Sequence, residues 1–152
     1  MDVSPDDPRT PDVVALLSEH LADMYATSPA ESVHALDVDA LAAPSITFVT
    51  AREAGVLLGC GALKDLGSGH GEIKSMRTTP AARGRGVAAA VLGWLLDEAR
   101  RLGMTRVSLE TGTQDYFAAA VRLYHRHGFV DCGPFGDYAT DPNSRFMTIT
   151  LD

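Results

Sequence analysis

A glycine-rich turn set directly before a long apolar helix is the strongest constraint in this chain. The stretch RTTPAARGRGVAAAVLGWLLDEARRLGM runs from Arg77 to Met104 and holds Arg83 and Arg85 beside Gly84 and Gly86. A helix start carries unpaired N–H groups and about half a positive charge. Glycines let an anion approach those groups closely, and arginines add charge-assisted hydrogen bonds. The turn is therefore expected to hold a phosphate or diphosphate. The rest of the chain makes these arginines conspicuous, because its formal net charge is −7. An acidic chain of this kind is a poor partner for nucleic acid, which wants a basic face.

The 152 residues suit one domain spanning 1–152. The longest apolar run, Val87–Leu96, is too short to cross a membrane. The N-terminal MDVSPDDPRT is acidic and polar, unlike a signal peptide. Cys60 and Cys132 lie far apart without CxxC spacing, so a cytoplasmic protein with reduced thiols is expected.

Apolar spacing predicts a first helix over Pro11–Met24, followed by one or two short helices in a mobile Ser28–Ala43 loop. Ile46–Arg52 and Val56–Lys64 are expected to pair as a hairpin around Glu53-Ala54-Gly55. EIKSMRT is expected as a third strand, with Ile73, Ser75 and Arg77 on one face and Glu72, Lys74 and Met76 on the other. A long helix is expected from about Gly84 to Leu102, burying Val87, Ala90, Val91, Trp94, Leu95 and Leu102. A strand ending near Glu110, a helix through DYFAAAVRLYHRH, and the strands FVDC and RFMTITL complete the chain. This order predicts an α/β (α+β) fold with a mixed, mostly antiparallel central sheet flanked by helices.

Two phosphate-binding patterns compete for the turn. GRGVAA matches the dinucleotide pattern G-x-G-x-x-A, but Thr78–Ala82 separates it from its strand, and antiparallel strands come before it. No Gly-Lys-Ser/Thr follows, so the Walker pattern fails. TTPAARGRGVAAAVL resembles instead the R/Q-x-x-G-x-G/A signature of the GNAT N-acetyltransferases, with Arg83, Gly86 and Ala88 at its fixed positions. VRLYHRHGF is similar to the closing LYxxxGF segment of that family, and GEIKSMRT and GPFGDY look like those of a subgroup of small bacterial acetyltransferases.

The resemblance implies a GNAT fold and transfer of an acetyl group from acetyl-CoA to an amine acceptor, with no metal. Arg83, Gly84, Arg85, Gly86, Val87 and Ala88 would hold the diphosphate of CoA. Met76, Arg77 and Thr78 would pair with its pantetheine arm, and Arg126 would reach a CoA phosphate. Tyr124 would protonate the departing thiolate. Where the family often has asparagine, seven residues earlier, this chain has Phe117.

Glu72 and Glu110 are the candidate general bases, with Glu72 ranked first. His34, Tyr138 and Arg145 are candidate acceptor contacts, Arg145 either as partner for an acceptor carboxylate or, equally, in a salt bridge within the protein. The oligomeric state stays open, a homodimer being common in the family. A CoA-binding module without catalysis and a dinucleotide-binding enzyme are the alternative readings.

Overall fold

The structure, a computed structural model, describes residues 1–34 and 37–152. Its centre is a seven-stranded sheet made of β1 (Asp2–Pro5), β2 (Ile46–Glu53), β3 (Val56–Gly67), β4 (His70–Thr78), β5 (Arg106–Gly112), β6 (Val130–Cys132) and β7 (Ser144–Thr150). The strand order is β1-β2-β3-β4-β5-β7-β6. Every neighbour pair is antiparallel except β4–β5, which is parallel. The helices are α1 (Pro11–Thr27), α2 (Val38–Leu41), α3 (Val87–Arg101) and α4 (Ala118–Arg126). The mixed, mostly antiparallel sheet flanked by helices is the expected architecture.

Two apolar cores lie on opposite faces of the sheet. On one, Val87, Val91, Leu92, Leu95 and Leu96 of α3 and Val121 and Leu123 of α4 pack with Leu63, Ile73, Leu109 and Met147. On the other, Val13, Leu16 and Leu17 of α1 and Leu41 of α2 pack with Phe48, Cys60 and Ala62. Gly61 lets α3 lie close to β3. A Cβ there would stand 2.6 Å from Met76 Sδ and 2.7 Å from a Val91 methyl.

Several expectations need correction. Helix α3 starts at Val87 rather than Gly84, because Gly84 and Gly86 both adopt positive φ, 77° and 79°, in the turn before it. Its buried stripe includes Leu92, Leu96 and Ala99, while Ala90 and Trp94 are only half-buried and Leu102, past the helix end, is 49% exposed. The strand β1, pairing with β2, was not expected at all. Asp115–Phe117 forms a 3-10 turn ahead of α4.

The face assignment along β4 also fails, for a reason that matters to the site. Cys60 pairs with Arg77 but Ala62 pairs with Lys74, so one residue too many stands opposite Gly61. Ser75 takes φ 57°, and the strand bulges there. The alternation is re-phased. Met76 joins Ile73 against α3, while Arg77 joins Glu72 and Lys74 on the α1 side.

Candidate active site

Strands β4 and β5 pair from His70↔Arg106 to Ile73↔Leu109 and no further. Beyond that point β4 bends at its bulge and continues to Thr78, and β5 continues to Gly112 alongside β7. The two strands splay, so the backbone of Lys74–Thr78 has no ladder partner on the β5 side. A cavity of about 620 Å³ opens in the gap, lined by β4 from Glu72 to Thr78, the turn before α3, one face of α4, and His20, Met24, His34, Glu110 and Tyr138.

At one end of the cavity lies the glycine turn. Gly86 offers its carbonyl to Ala90 N–H at 3.1 Å, so the amides of Val87, Ala88 and Ala89 stand before the first intrahelical bond. No heavy atom lies within 4 Å of where a Cβ would sit on Gly84 or Gly86. That open backbone at a helix start fits a diphosphate. Arg83, Val87, Ala88 and Arg126 line this end. Arg85 does not. Its guanidinium pairs with Glu53 at 2.6 Å on the exposed side of the turn, so the expected side-chain bond to the phosphate is corrected, while its backbone stays in the turn. Met76 and Thr78 line the gap with their backbone unpaired toward it. The Arg77 side chain turns to α1 instead, bonding Glu19 at 2.5 Å and Asp23 at 2.6 Å.

The other end carries the titratable groups. Glu72 is buried, and its Oε2 accepts both the Tyr138 hydroxyl at 2.5 Å and the Lys74 ammonium at 3.2 Å. Lys74 also donates to the Tyr138 oxygen at 3.0 Å. Burial, followed by the Glu72 bond and charge, pushes the Tyr138 hydroxyl pKa far up. Glu110 is half-buried, and its pKa rises to about 7. Burial is the main cause, the charges of Glu72 and Asp141 act the same way, and Lys74 opposes them. His34 meets Tyr138 edge-on at 5.1 Å between ring centroids.

Between the two ends, Tyr124 reaches the cavity from α4 with its ring against Phe129, and full burial raises its hydroxyl pKa. Phe117 lines the cavity with an apolar ring.

The cavity thus brings together Glu72, Glu110, Tyr124, His34, Tyr138, Arg83 and Arg126. It leaves out Arg145, which is bonded to Asp131 at 2.8 Å and 3.2 Å on the outer β6–β7 hairpin. The expectation that Arg145 walls the acceptor site is therefore corrected. Lys74, His20 and Tyr116 were not foreseen. Only Lys74 left a signal, since it alternates with Glu72 along a strand. His125 and His127 diverge, toward Asp131 and the Leu123 carbonyl respectively.

A strand-splayed mixed sheet with an amide-rich turn at the gap defines a class of acyl-CoA-dependent enzymes. Residues 13–129 match the Acetyltransferase (GNAT) family, and this chain belongs to it. It is 49% identical over 151 residues to the "Uncharacterized N-acetyltransferase YsnE" of Bacillus subtilis, covering 99% of this chain and 100% of that one. It is 45% identical over 139 residues to the "IAA acetyltransferase" of Azospirillum brasilense, covering 89% and 88% of the two chains. A solved acyl-CoA N-acyltransferase structure from Klebsiella pneumoniae superposes with a TM-score of 0.85 at 28% identity, covering 99% of this chain and 97% of that one. The protein is an N-acetyltransferase, and acetyl-CoA is its cosubstrate. Among the described residues no helix is long and apolar enough to cross a membrane.

Proposed function

We propose that the chain acetylates a primary amine of a small molecule or peptide by direct attack on acetyl-CoA, with Glu110 as general base and Tyr124 as general acid. The raised pKa of Glu110 carries this reading. A carboxylate near its ordinary pKa removes a proton from an ammonium poorly, whereas one poised near 7 matches the working pH. This reverses the order expected between the two glutamates. The Glu72 oxygen Oε2 is already engaged by Tyr138 and Lys74, so Glu72 holds the acceptor end together rather than collecting a proton.

In the reaction the amine nitrogen bonds the acetyl carbon as the carbon–sulfur bond breaks. Glu110 takes the ammonium proton, the Tyr124 hydroxyl gives one to the sulfur, and the second proton that the nitrogen sheds on becoming an amide restores the Tyr124 hydroxyl. The amides at the start of α3, with Arg83 and Arg126, hold the diphosphate end. Direct transfer needs no enzyme thiol. Cys60 is buried outside the cavity, and burial pushes its pKa up to about 12, which makes it a poor nucleophile.

The test is release of free thiol from acetyl-CoA in the presence of phenethylamine, cadaverine, free amino acids and short peptides. Thiol release with one of these, together with a mass gain of one acetyl on the amine, supports the reading. Binding of acetyl-CoA without release across the panel would favour a binding module. The name of the Azospirillum relative motivates a second arm with IAA as acceptor. Gel filtration with light scattering tests for the homodimer that is common in the family.

A further inference from the structure

The two halves of α1 are held in different ways. Its first half buries Val13, Leu16 and Leu17 in the core under β2 and β3. From Glu19 to Thr27, among the described residues, it gives no side chain to either apolar core. Yet this second half carries His20 and Met24, which line the cavity. It also leads directly into the 3-10 turn Ala30–Ser32 and His34, and Ser32 Oγ donates to Asp141 at 2.6 Å. Among the described residues, the side chains that bond it from other elements are Arg77 of β4 and Tyr116. Arg77, whose side chain is 5% exposed, donates to Glu19 at 2.5 Å and Asp23 at 2.6 Å on α1. Its other terminal nitrogen donates to the Tyr116 hydroxyl at 2.7 Å, and Tyr116 in turn lies 3.4 Å from Asp23. Tyr116 sits in the turn before α4, at the far side of the gap between β4 and β5.

We propose that the Arg77 side chain is a positioning residue that clamps the second half of α1 and the turn before α4 across the open end of the sheet, so setting the shape of the acceptor end. This rests on the acceptor lying at the Glu72–Glu110 end. A planar guanidinium with a fixed fork of donors can bond three groups on two elements at once, which a lysine ammonium cannot do with the same geometry. The bulge at Ser75 is what turns this side chain toward α1. The backbone of Arg77 stays on β4, so the pantetheine side of the strand is unaffected by changes to the side chain.

The experiment compares wild-type enzyme with Arg77→Met, Arg77→Lys and Glu19→Gln/Asp23→Asn. The last variant changes two half-exposed groups, so it keeps the test open if the buried arginine is needed for folding. Amide hydrogen exchange should speed up over residues 19–34 and stay at the wild-type rate over 13–18. With the panel amine turned over fastest, the acceptor KM should rise about tenfold, the scale expected for losing a charge-assisted bond. Calorimetric affinity for acetyl-CoA should change less than about threefold, because the turn before α3 is untouched. Arg77→Lys should recover only part of the loss.

Exchange that speeds equally throughout α1 would overturn the proposal, as would an unchanged acceptor KM in a folded variant. If wild-type enzyme releases no thiol with any amine, the amine-transfer reading fails, and the exchange pattern still decides the role of Arg77.

Discussion

Glu110 carries a conflict between folding and chemistry. Its pKa in the folded chain, about 7, stands above the ordinary 4.5, so the fold disfavours its charged form. The stability linked to its proton is full below pH 4.5 and is lost as pH rises through 7. Glu110→Gln should therefore melt at a higher temperature than wild type at pH 8, while its kcat falls by about 10²–10⁴ and the acid limb near pH 7 disappears. Calorimetric melting and a pH–rate profile check both halves. Tyr124→Phe keeps the ring that packs on Phe129, so it should fold normally and lose about 100-fold in kcat. That loss should shrink above the thiol pKa of about 8.5, where the thiolate leaves unaided, and stopped-flow thiol release across pH measures it. Residue type and strand placement nominated both glutamates, and the resemblance to the family nominated Tyr124. The ranking of Glu72 first did not take in the Tyr138 bond, which comes from a loop 66 positions away. For Arg145 the salt bridge is the reading that holds, and its partner could not be named from sequence because Asp131 meets it only across the β6–β7 pairing.

At the scale of elements, the turn before α3 tolerates only backbone that can turn left-handed. Gly86→Val places an L-residue at φ 79°, a strain of roughly 1–2 kcal/mol, and its side chain occupies the open side where a phosphate would approach. Acetyl-CoA affinity should fall more than tenfold by titration calorimetry, with Arg85→Ala close to wild type because Arg85 faces Glu53. Gly61→Ala fails differently. Its Cβ would meet Met76 Sδ at 2.6 Å, and overpacking of this kind costs about 1–3 kcal/mol, seen as a lower melting temperature without loss of cofactor affinity in the folded fraction. The turn was legible because glycine, arginine and a following apolar helix mark it in one short segment. The bulge in β4 was not, since Ser75 is neither glycine nor asparagine. Strand β1 was hidden too. It is a short, largely exposed edge held by backbone pairing with β2 and by Val3 alone against the core, and one apolar residue makes no alternation to read.

For the molecule as a whole, the cavity between β4 and β5 is where the cosubstrate would bridge β4, the turn before α3 and α4. Acetyl-CoA at about 100 times its dissociation constant should add about 2.7 kcal/mol of stability, which is roughly 5–10 °C for a chain of this length. NAD at equal concentration should give no shift, and scanning calorimetry with both ligands distinguishes the two readings of the glycine pattern. The extra residue in β4 has a consequence for how such an enzyme can be disabled. The Ser75 hydroxyl is buried without a partner, and glycine suits its φ of 57° better than serine does, so Ser75→Gly should be harmless. Deleting Ser75 is another matter. Every remaining side chain would keep its face, but the strand would straighten and could zip further along β5. The catalytic groups would all be present and correctly oriented, around a gap that had closed. In this enzyme the length of one strand, counted in residues, shapes the candidate site as much as the proposed glutamate and tyrosine do.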